Sequence, residues 1–99
     1  MRHVAWSNDA LDDFDRNLSY ITNDSPAAAI LVADRINEAA SALGIRPTGR
    51  PGRHNGMYEK SVQKTSYIIA YALSDSTVTI LRIIHSAQNW TPQNFPKAD

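Results

Sequence analysis

The sequence predicts an α+β fold, in which a helical hairpin packs on one face of a small, mainly antiparallel sheet in the order β-α-α-β-β-β. Apolar residues recur at helical spacing in the first half, and they alternate with a period of two after Gly56. The 99 residues, 42% of them hydrophobic, suffice for a single core. We therefore expect one domain over residues 1–99, of which about the last ten residues form a tail.

The first helix is predicted from Ser7 to Thr22, after a short strand from His3 to Trp6. Ser7 stands at the N-cap, where its hydroxyl accepts a hydrogen bond from a free backbone N–H. The predicted buried stripe follows steps of three and four residues: Leu11, Phe14, Leu18 and Ile21. The residues assigned to the solvated side are Asp12, Asp13, Asp15 and Arg16.

A second helix is predicted directly after the first, which makes the pair an antiparallel hairpin. Ser25 is its predicted cap, and Pro26 suits the first helical position because proline has no N–H to leave unpaired. Its predicted buried stripe is Ala29, Val32, Ile36, Ala39 and Leu43. Gly44 is the predicted C-terminal stop, in the left-handed conformation that glycine adopts without penalty.

Residues 44–56 contain all four glycines and are expected to lack regular structure. This segment is either an anion-binding loop, through Arg50 and Arg53, or a solvated connector. Strands are predicted over residues 57–62, 67–73 and 77–85, joined by tight turns into an antiparallel meander. The last two are apolar on both faces and are therefore predicted to be central.

Composition excludes several classes of function. The chain has no cysteine, so it forms no disulfide, thiolate metal site or cysteine nucleophile. Its three histidines lack the spacing of metal ligands, and we expect neither metal nor cofactor. No signal peptide or membrane span is evident, so a cytoplasmic protein is expected.

The charges are segregated along the sequence. Residues 1–45 carry seven acidic and three basic side chains, and residues 46–99 carry three acidic and seven basic ones. This indicates either a basic docking region for a polyanion or acidic protein, or chance clustering.

Arg82 is the most informative single residue. A regular strand would place it on the same face as Ile80 and Ile84, where a charge is costly unless it is paired. Either it pairs with a carboxylate, for which Glu59 is the expected partner, or it binds an arriving anion such as a phosphate. His85 ends the same strand and is either a general acid or base or a structural residue.

An ordered set of short motifs resembles the RelE/ParE toxin superfamily of bacterial type II toxin–antitoxin systems, on the ParE side. Trp6 precedes the capped acidic helix, and Leu43 ends the second. The other motifs are Ser25-Pro26-Ala27-Ala28, Gly49-Arg50-Pro51-Gly52-Arg53, Met57-Tyr58-Glu59, Tyr67-Ile68-Ile69-Ala70-Tyr71 and Ile80-Leu81-Arg82-Ile83-Ile84-His85-Ser86-Ala87-Gln88-Asn89-Trp90. The resemblance extends from about Val4 to Pro92, and it is the ordered set rather than any one motif that is specific.

The resemblance implies a plasmid-stabilising or growth-arresting toxin that a cognate ParD-like antitoxin neutralises by direct binding. The pair would form a hetero-oligomer and repress its own operon, contacting operator DNA only through the antitoxin. ParE-like toxins are associated with poisoning DNA gyrase, which blocks replication and needs no catalytic group of the toxin. Their RelE-like relatives cleave mRNA on the ribosome, and a degenerate toxin that only binds its antitoxin is a third reading.

The two active readings select different sets of residues, which share Arg82. For a gyrase poison, the candidate target-binding residues are Arg50, Arg53, Arg82 and Trp90. For a ribonuclease, Arg82 and Lys60 would stabilise the developing phosphate charge, and His85 or Glu59 would transfer the proton. The two-residue period does not place these four side chains on one face, and this favours the gyrase poison.

Overall fold

A computed structural model describes residues 1–52 and 56–86 and confirms the predicted fold class. The strands are β1 (His3–Trp6), β2 (Arg50–Pro51), β3 (Met57–Ser61), β4 (Tyr67–Leu73) and β5 (Thr77–His85). The helices are α1 (Asn8–Asp24) and α2 (Pro26–Ile45). The sheet order is β1-β5-β4-β3-β2, with β1 parallel to β5 and the other neighbours antiparallel. The predicted central position of β4 and β5 is confirmed.

Both predicted helix caps are present. The Ser7 hydroxyl accepts from the Ala10 N–H at 3.0 Å, and the Ser25 hydroxyl accepts from the Ala28 N–H at 3.2 Å. The stripe predicted for α2 faces the core, whereas Leu11 of the stripe predicted for α1 is 46% exposed. The face of α1 that meets the sheet is therefore rotated relative to the predicted stripe, and Ala10 is the most buried side chain of the helix.

The prediction for Gly44 as a left-handed helix stop is wrong, since α2 continues through it to Ile45. Glycine is needed there because a Cβ would lie 2.8 Å from both the Arg2 carbonyl oxygen and the Val4 side chain. The Arg2 N–H donates to the Gly44 carbonyl at 2.7 Å, so α2 touches the start of β1 backbone to backbone. The segment expected to be irregular also contains the short strand β2.

A β-bulge on β5 decides which side chains meet the helices. Ala70 pairs with Arg82 and Tyr71 with Ile80, which leaves Leu81 as the extra residue. Ile80 and Ile83, three residues apart, therefore share the core cluster beneath the helices. Ile84 belongs instead to a second cluster with Leu81 on the opposite face. The expectation that Ile80 and Ile84 share one face is wrong for this reason.

Within residues 1–52 and 56–86, no helix is long and apolar enough to cross a membrane. The predicted tail, with Trp90, lies outside the described residues, as does Arg53.

Candidate functional site

The edge of β5 is covered first by β1 and then by α1. The parallel pairing ends where Trp6 lies opposite Ile80, and the next residue, Ser7, donates its N–H to the Ile80 carbonyl at 2.9 Å. The Ser7 hydroxyl also donates to the Leu81 carbonyl at 3.0 Å. A single serine thus begins α1 and attaches it to the bulge of β5. Nearly two turns further along, α1 brings Asp13 to the same edge.

Asp13 is 3% exposed and is held by groups on both β5 and α1. Its Oδ2 accepts from Arg82 Nε at 2.6 Å and from the Ile83 N–H at 3.1 Å. Its Oδ1 accepts from Arg82 Nη2 at 2.9 Å and from Arg16 Nη2 at 3.3 Å. A bidentate guanidinium pair that also satisfies a strand-edge N–H is geometrically specific. Hydrogen bonding to Asp13 raises the pKa of Arg82, although burial acts in the opposite direction.

Asp13 is the residue that the sequence analysis missed. It was assigned to the solvated side of α1, and Glu59 was the expected partner of Arg82; the structure places Asp13 on the guanidinium instead. The spacing held a signal for this, because Ala10, Asp13 and Asn17 follow helical steps of three and four along one stripe. What the sequence did not contain was the rotation of α1 that turns this stripe towards β5.

The sheet brings three of the predicted site residues into one row across its strands. Arg50 lies opposite Glu59, Glu59 opposite Ala70, and Ala70 opposite Arg82. Glu59 is only 6% exposed, which is rare for a carboxylate in a folded protein. Arg50 is exposed on the edge strand, while Arg82 is held at the other side of the sheet by Asp13.

Lys60 and His85 lie elsewhere, in two separate clefts between the helices and the sheet. Lys60 lines the basic cleft, of about 390 Å³, formed with five other polar residues: Arg35, Glu38, Ser61, Gln63 and Lys64. His85 lines the apolar cleft, of about 540 Å³, whose walls include Asn17, Tyr20, Ile21, Val32 and Tyr67. The His85 ring meets the Tyr67 ring edge-on, with centroids 5.2 Å apart.

The ribonuclease candidates are therefore not assembled as one catalytic centre. General acid–base catalysis needs the proton-transferring group within hydrogen-bond reach of the reacting atom, beside the groups that stabilise charge. Arg82 is hydrogen-bonded to Asp13, and Glu59 is separated from it by Ala70 on the strand between them. His85 lines the apolar cleft and Lys60 the basic cleft. In the described part of the chain, no three His, Asp or Glu side chains come together in a way that would hold a metal ion.

Both helices carry large, solvent-exposed apolar side chains, and one of them, Tyr20, lines the apolar cleft. Tyr20 of α1 is 73% exposed, and in α2 Ile30 is 66% and Leu31 50% exposed. Scattered apolar side chains are ordinary on a protein surface, but large ones next to an apolar cleft mark a binding surface. The cleft with Tyr20 is the strongest candidate for a protein interface in the described residues.

Three comparisons with known proteins agree with this fold. The family model described as ParE toxin of type II toxin-antitoxin system, parDE, matches residues 4–90. A curated relative, Toxin RelE2 of Caulobacter vibrioides, is 34% identical over 88 residues, which span 89% of this chain and 99% of the relative.

Two solved structures are similar in fold. In the chromosomal ParDE toxin–antitoxin system from P. aeruginosa, one chain matches with a TM-score of 0.78 at 21% identity, over 86% of this chain and 96% of that one. In the RelBE2 toxin–antitoxin complex from Mycobacterium tuberculosis, one chain matches with a TM-score of 0.60 at 24% identity, over 88% and 93%.

Proposed function

The chain belongs to the ParE toxin family of type II toxin–antitoxin systems, and on that premise we propose that it acts in the cytoplasm as a non-enzymatic poison of DNA gyrase. In the free state it arrests growth by blocking replication, and a ParD-like antitoxin neutralises it by direct binding. The pair contacts operator DNA only through the antitoxin.

One observation carries the non-enzymatic reading: of the four candidates for RNA cleavage, Glu59 and Arg82 lie in one row of the sheet, whereas Lys60 and His85 line two other clefts. The sequence predicts Arg82 as the phosphate-binding guanidinium, and Asp13 takes up two of its nitrogens. Withdrawing it from Asp13 would leave a buried carboxylate without its main partner, which is costly. A toxin that acts through a protein–protein surface does not need such a rearrangement. Gyrase as the target rests on the ParE-like sequence motifs.

The apolar cleft is the proposed neutralisation surface. An amphipathic segment docks by placing apolar anchors at helical spacing into a hydrophobic groove. The cleft offers such a groove between the hairpin and the sheet, and the exposed Tyr20 ring forms part of its wall. Without an antitoxin this apolar surface faces water, so we expect the purified toxin to associate or precipitate more readily than its complex.

The decisive experiment incubates the purified protein with gyrase, ATP and supercoiled plasmid DNA, and scores trapped, linearised DNA. The proposal expects linear DNA to accumulate and the antitoxin to suppress it. A parallel reaction with translating ribosomes scores mRNA cleavage. Cleavage of mRNA without any effect on gyrase, from protein that arrests growth, would overturn the proposal in favour of a RelE-like ribonuclease. Absence of growth arrest on induction would indicate a degenerate toxin.

The neutralisation surface is tested separately with two matched substitutions. Tyr20→Ala removes an exposed ring at the apolar cleft, whereas Ile45→Ala removes an equally exposed side chain (71%) at the far end of α2. Truncating an aromatic anchor at an interface costs about 2 kcal/mol, which weakens antitoxin binding about thirtyfold. The control should bind like the parent protein. Equal affinities for both variants would place the antitoxin elsewhere.

A further inference from the structure

The basic cleft gathers positive charge from three different elements. Arg35 comes from α2, Lys60 from β3 and Lys64 from the turn between β3 and β4, and Glu38 is the one acidic side chain among the lining residues. The lining of the cleft therefore carries an excess of two positive charges around a volume of about 390 Å³. Such a concentration of one sign of charge attracts anionic groups.

The turn that supplies Lys64 is held in one conformation. Lys64 has a φ of 63°, in the left-handed region that residues other than glycine rarely adopt. Arg35 Nη1 donates to the Lys64 carbonyl at 3.2 Å and so ties the turn to α2. The Thr65 hydroxyl donates to the Val62 carbonyl at 2.8 Å and closes the turn from within. The cleft is thus largely preformed.

The outer edge of β3 is open next to this cleft. Strand β2 pairs only with Tyr58 and Glu59 of β3. The Val62 N–H donates to the Tyr67 carbonyl of β4, and backbone groups alternate in direction along an antiparallel strand. The N–H and C=O of Ser61 therefore point away from β4, where no strand among residues 1–52 and 56–86 pairs with them. An unpaired edge of this kind accepts an added strand.

From the charge and the open edge together, we propose that the basic cleft binds an acidic, extended segment of a protein partner. Its backbone adds to β3 at Ser61, beyond the end of β2. Side chains of an added strand alternate between the two faces, so every second one points to the helical side, where Arg35, Lys60 and Lys64 receive its carboxylates. Phosphate groups of a nucleic acid would use the same cations but not the strand edge. This site is independent of the target proposed above.

A short synthetic peptide that alternates glutamate and threonine is the probe, and its binding to the full chain is measured by fluorescence anisotropy. The matched control peptide has glutamine at every glutamate position. We expect it to bind at least about tenfold more weakly, since several partly exposed ion pairs are lost together. Equal binding of the two peptides would overturn the proposal.

Variants of the protein separate the two components of the site. Lys60→Gln combined with Lys64→Gln should weaken the acidic peptide about tenfold, whereas Arg46→Gln, an exposed arginine outside the cleft, should leave binding unchanged. Ser61→Pro removes the outward N–H and spares the bonds to β4; it should weaken the peptide severalfold with the fold retained by circular dichroism.

Nucleic acid gives the competing outcome. If a single-stranded oligonucleotide displaces the peptide, and Ser61→Pro does not change the affinity for the oligonucleotide, the cleft binds phosphate groups. The proposal of a protein segment would then be wrong. If neither the lysine pair nor Ser61→Pro affects the peptide, the proposal fails. Should Ser61→Pro not fold, the lysine pair and the glutamine peptide still decide the question.

Discussion

Replacing Asp13 with alanine tests how much the attachment of α1 to β5 contributes to the stability of the fold. The substitution removes a carboxylate that binds Arg82 through two nitrogens and also accepts the Ile83 N–H. Breaking a buried ion pair from one side costs about 3–5 kcal/mol, and an orphaned buried N–H costs about 1–3 kcal/mol. The Arg82 side chain is 27% exposed, so water offsets part of this loss, and we expect a net destabilisation of about 3 kcal/mol.

Urea unfolding and thermal unfolding, both followed by circular dichroism, measure this loss of stability. In a domain whose stability is about 5–15 kcal/mol, a loss of about 3 kcal/mol lowers the melting temperature by roughly 15 °C. Asp12→Ala is the matched control, since Asp12 is the exposed neighbour on the same helix and should change stability by less than about 0.5 kcal/mol. Asp13→Asn keeps one oxygen acceptor and should cost about half as much as alanine.

A double-mutant cycle with Arg82→Met isolates the pair. We expect a coupling energy of about 2 kcal/mol between the two positions, because each single substitution leaves the other charge buried. Hydrogen bonding to Asp13 raises the pKa of Arg82, so Arg82 stays charged throughout the neutral range and its contribution is lost only as pH rises through the folded arginine value. The coupling should therefore be constant across neutral pH. A cost of Asp13→Ala equal to that of Asp12→Ala, or zero coupling to Arg82, would refute this account.

Three further predictions concern other parts of the fold. Gly44→Ala should destabilise by about 1–3 kcal/mol in urea unfolding, since the new Cβ meets backbone at 2.8 Å; helix propensity alone would give a gain of about 1 kcal/mol, the amount that the exposed control Ala42→Gly should lose. Burial raises the pKa of both Tyr67 and Tyr71, so their stabilisation is complete below about pH 10 and declines as pH rises through the folded values. Absorbance titration of tyrosinate should show late ionisation of Tyr67 and Tyr71, assigned by Tyr67→Phe and Tyr71→Phe, and ionisation of these two at the ordinary pH would contradict this. Ser7→Ala should cost about 1–2 kcal/mol, because the hydroxyl both caps α1 and donates to a β5 carbonyl; a loss of only a few tenths of a kcal/mol would mean that neither hydrogen bond contributes appreciably to stability.

The features that sequence alone predicted are those encoded by neighbouring residues. The caps at Ser7 and Ser25 and the three-strand meander depend on residues a few positions apart, and all are present. The stripe of α2 was also correct, because alanines and branched residues leave one face able to pack. In α1, Leu11 was expected to be buried and is exposed, and Asp13 was expected to be exposed and is buried. The position of the sheet edge decides which face of α1 is buried, and no local sequence pattern indicates that position.

The site depended on pairings across the whole chain. The bulge at Leu81 breaks the period of two on which the face of Arg82 was predicted, and only the pairing of β4 with β5 reveals it. The partner of Arg82 is 69 residues away along the sequence. A carboxylate that completes a strand edge is recognisable only once the edge exists, whereas Glu59 lies on another predicted strand and is for that reason the partner that the sequence predicts.

The attachment of α1 also bears on how the toxin is controlled. Asp13 joins β5 to the helix that carries Tyr20, two turns further along the same helix. We therefore expect that breaking the Asp13–Arg82 pair loosens α1 and displaces the Tyr20 wall of the apolar cleft. Replacing Arg82 would then weaken both stability and antitoxin binding. A catalytic arginine would behave differently, because its loss abolishes toxicity while the fold and the complex persist. Measuring stability, antitoxin affinity and growth arrest on one Arg82→Met protein therefore distinguishes a structural arginine from a catalytic one.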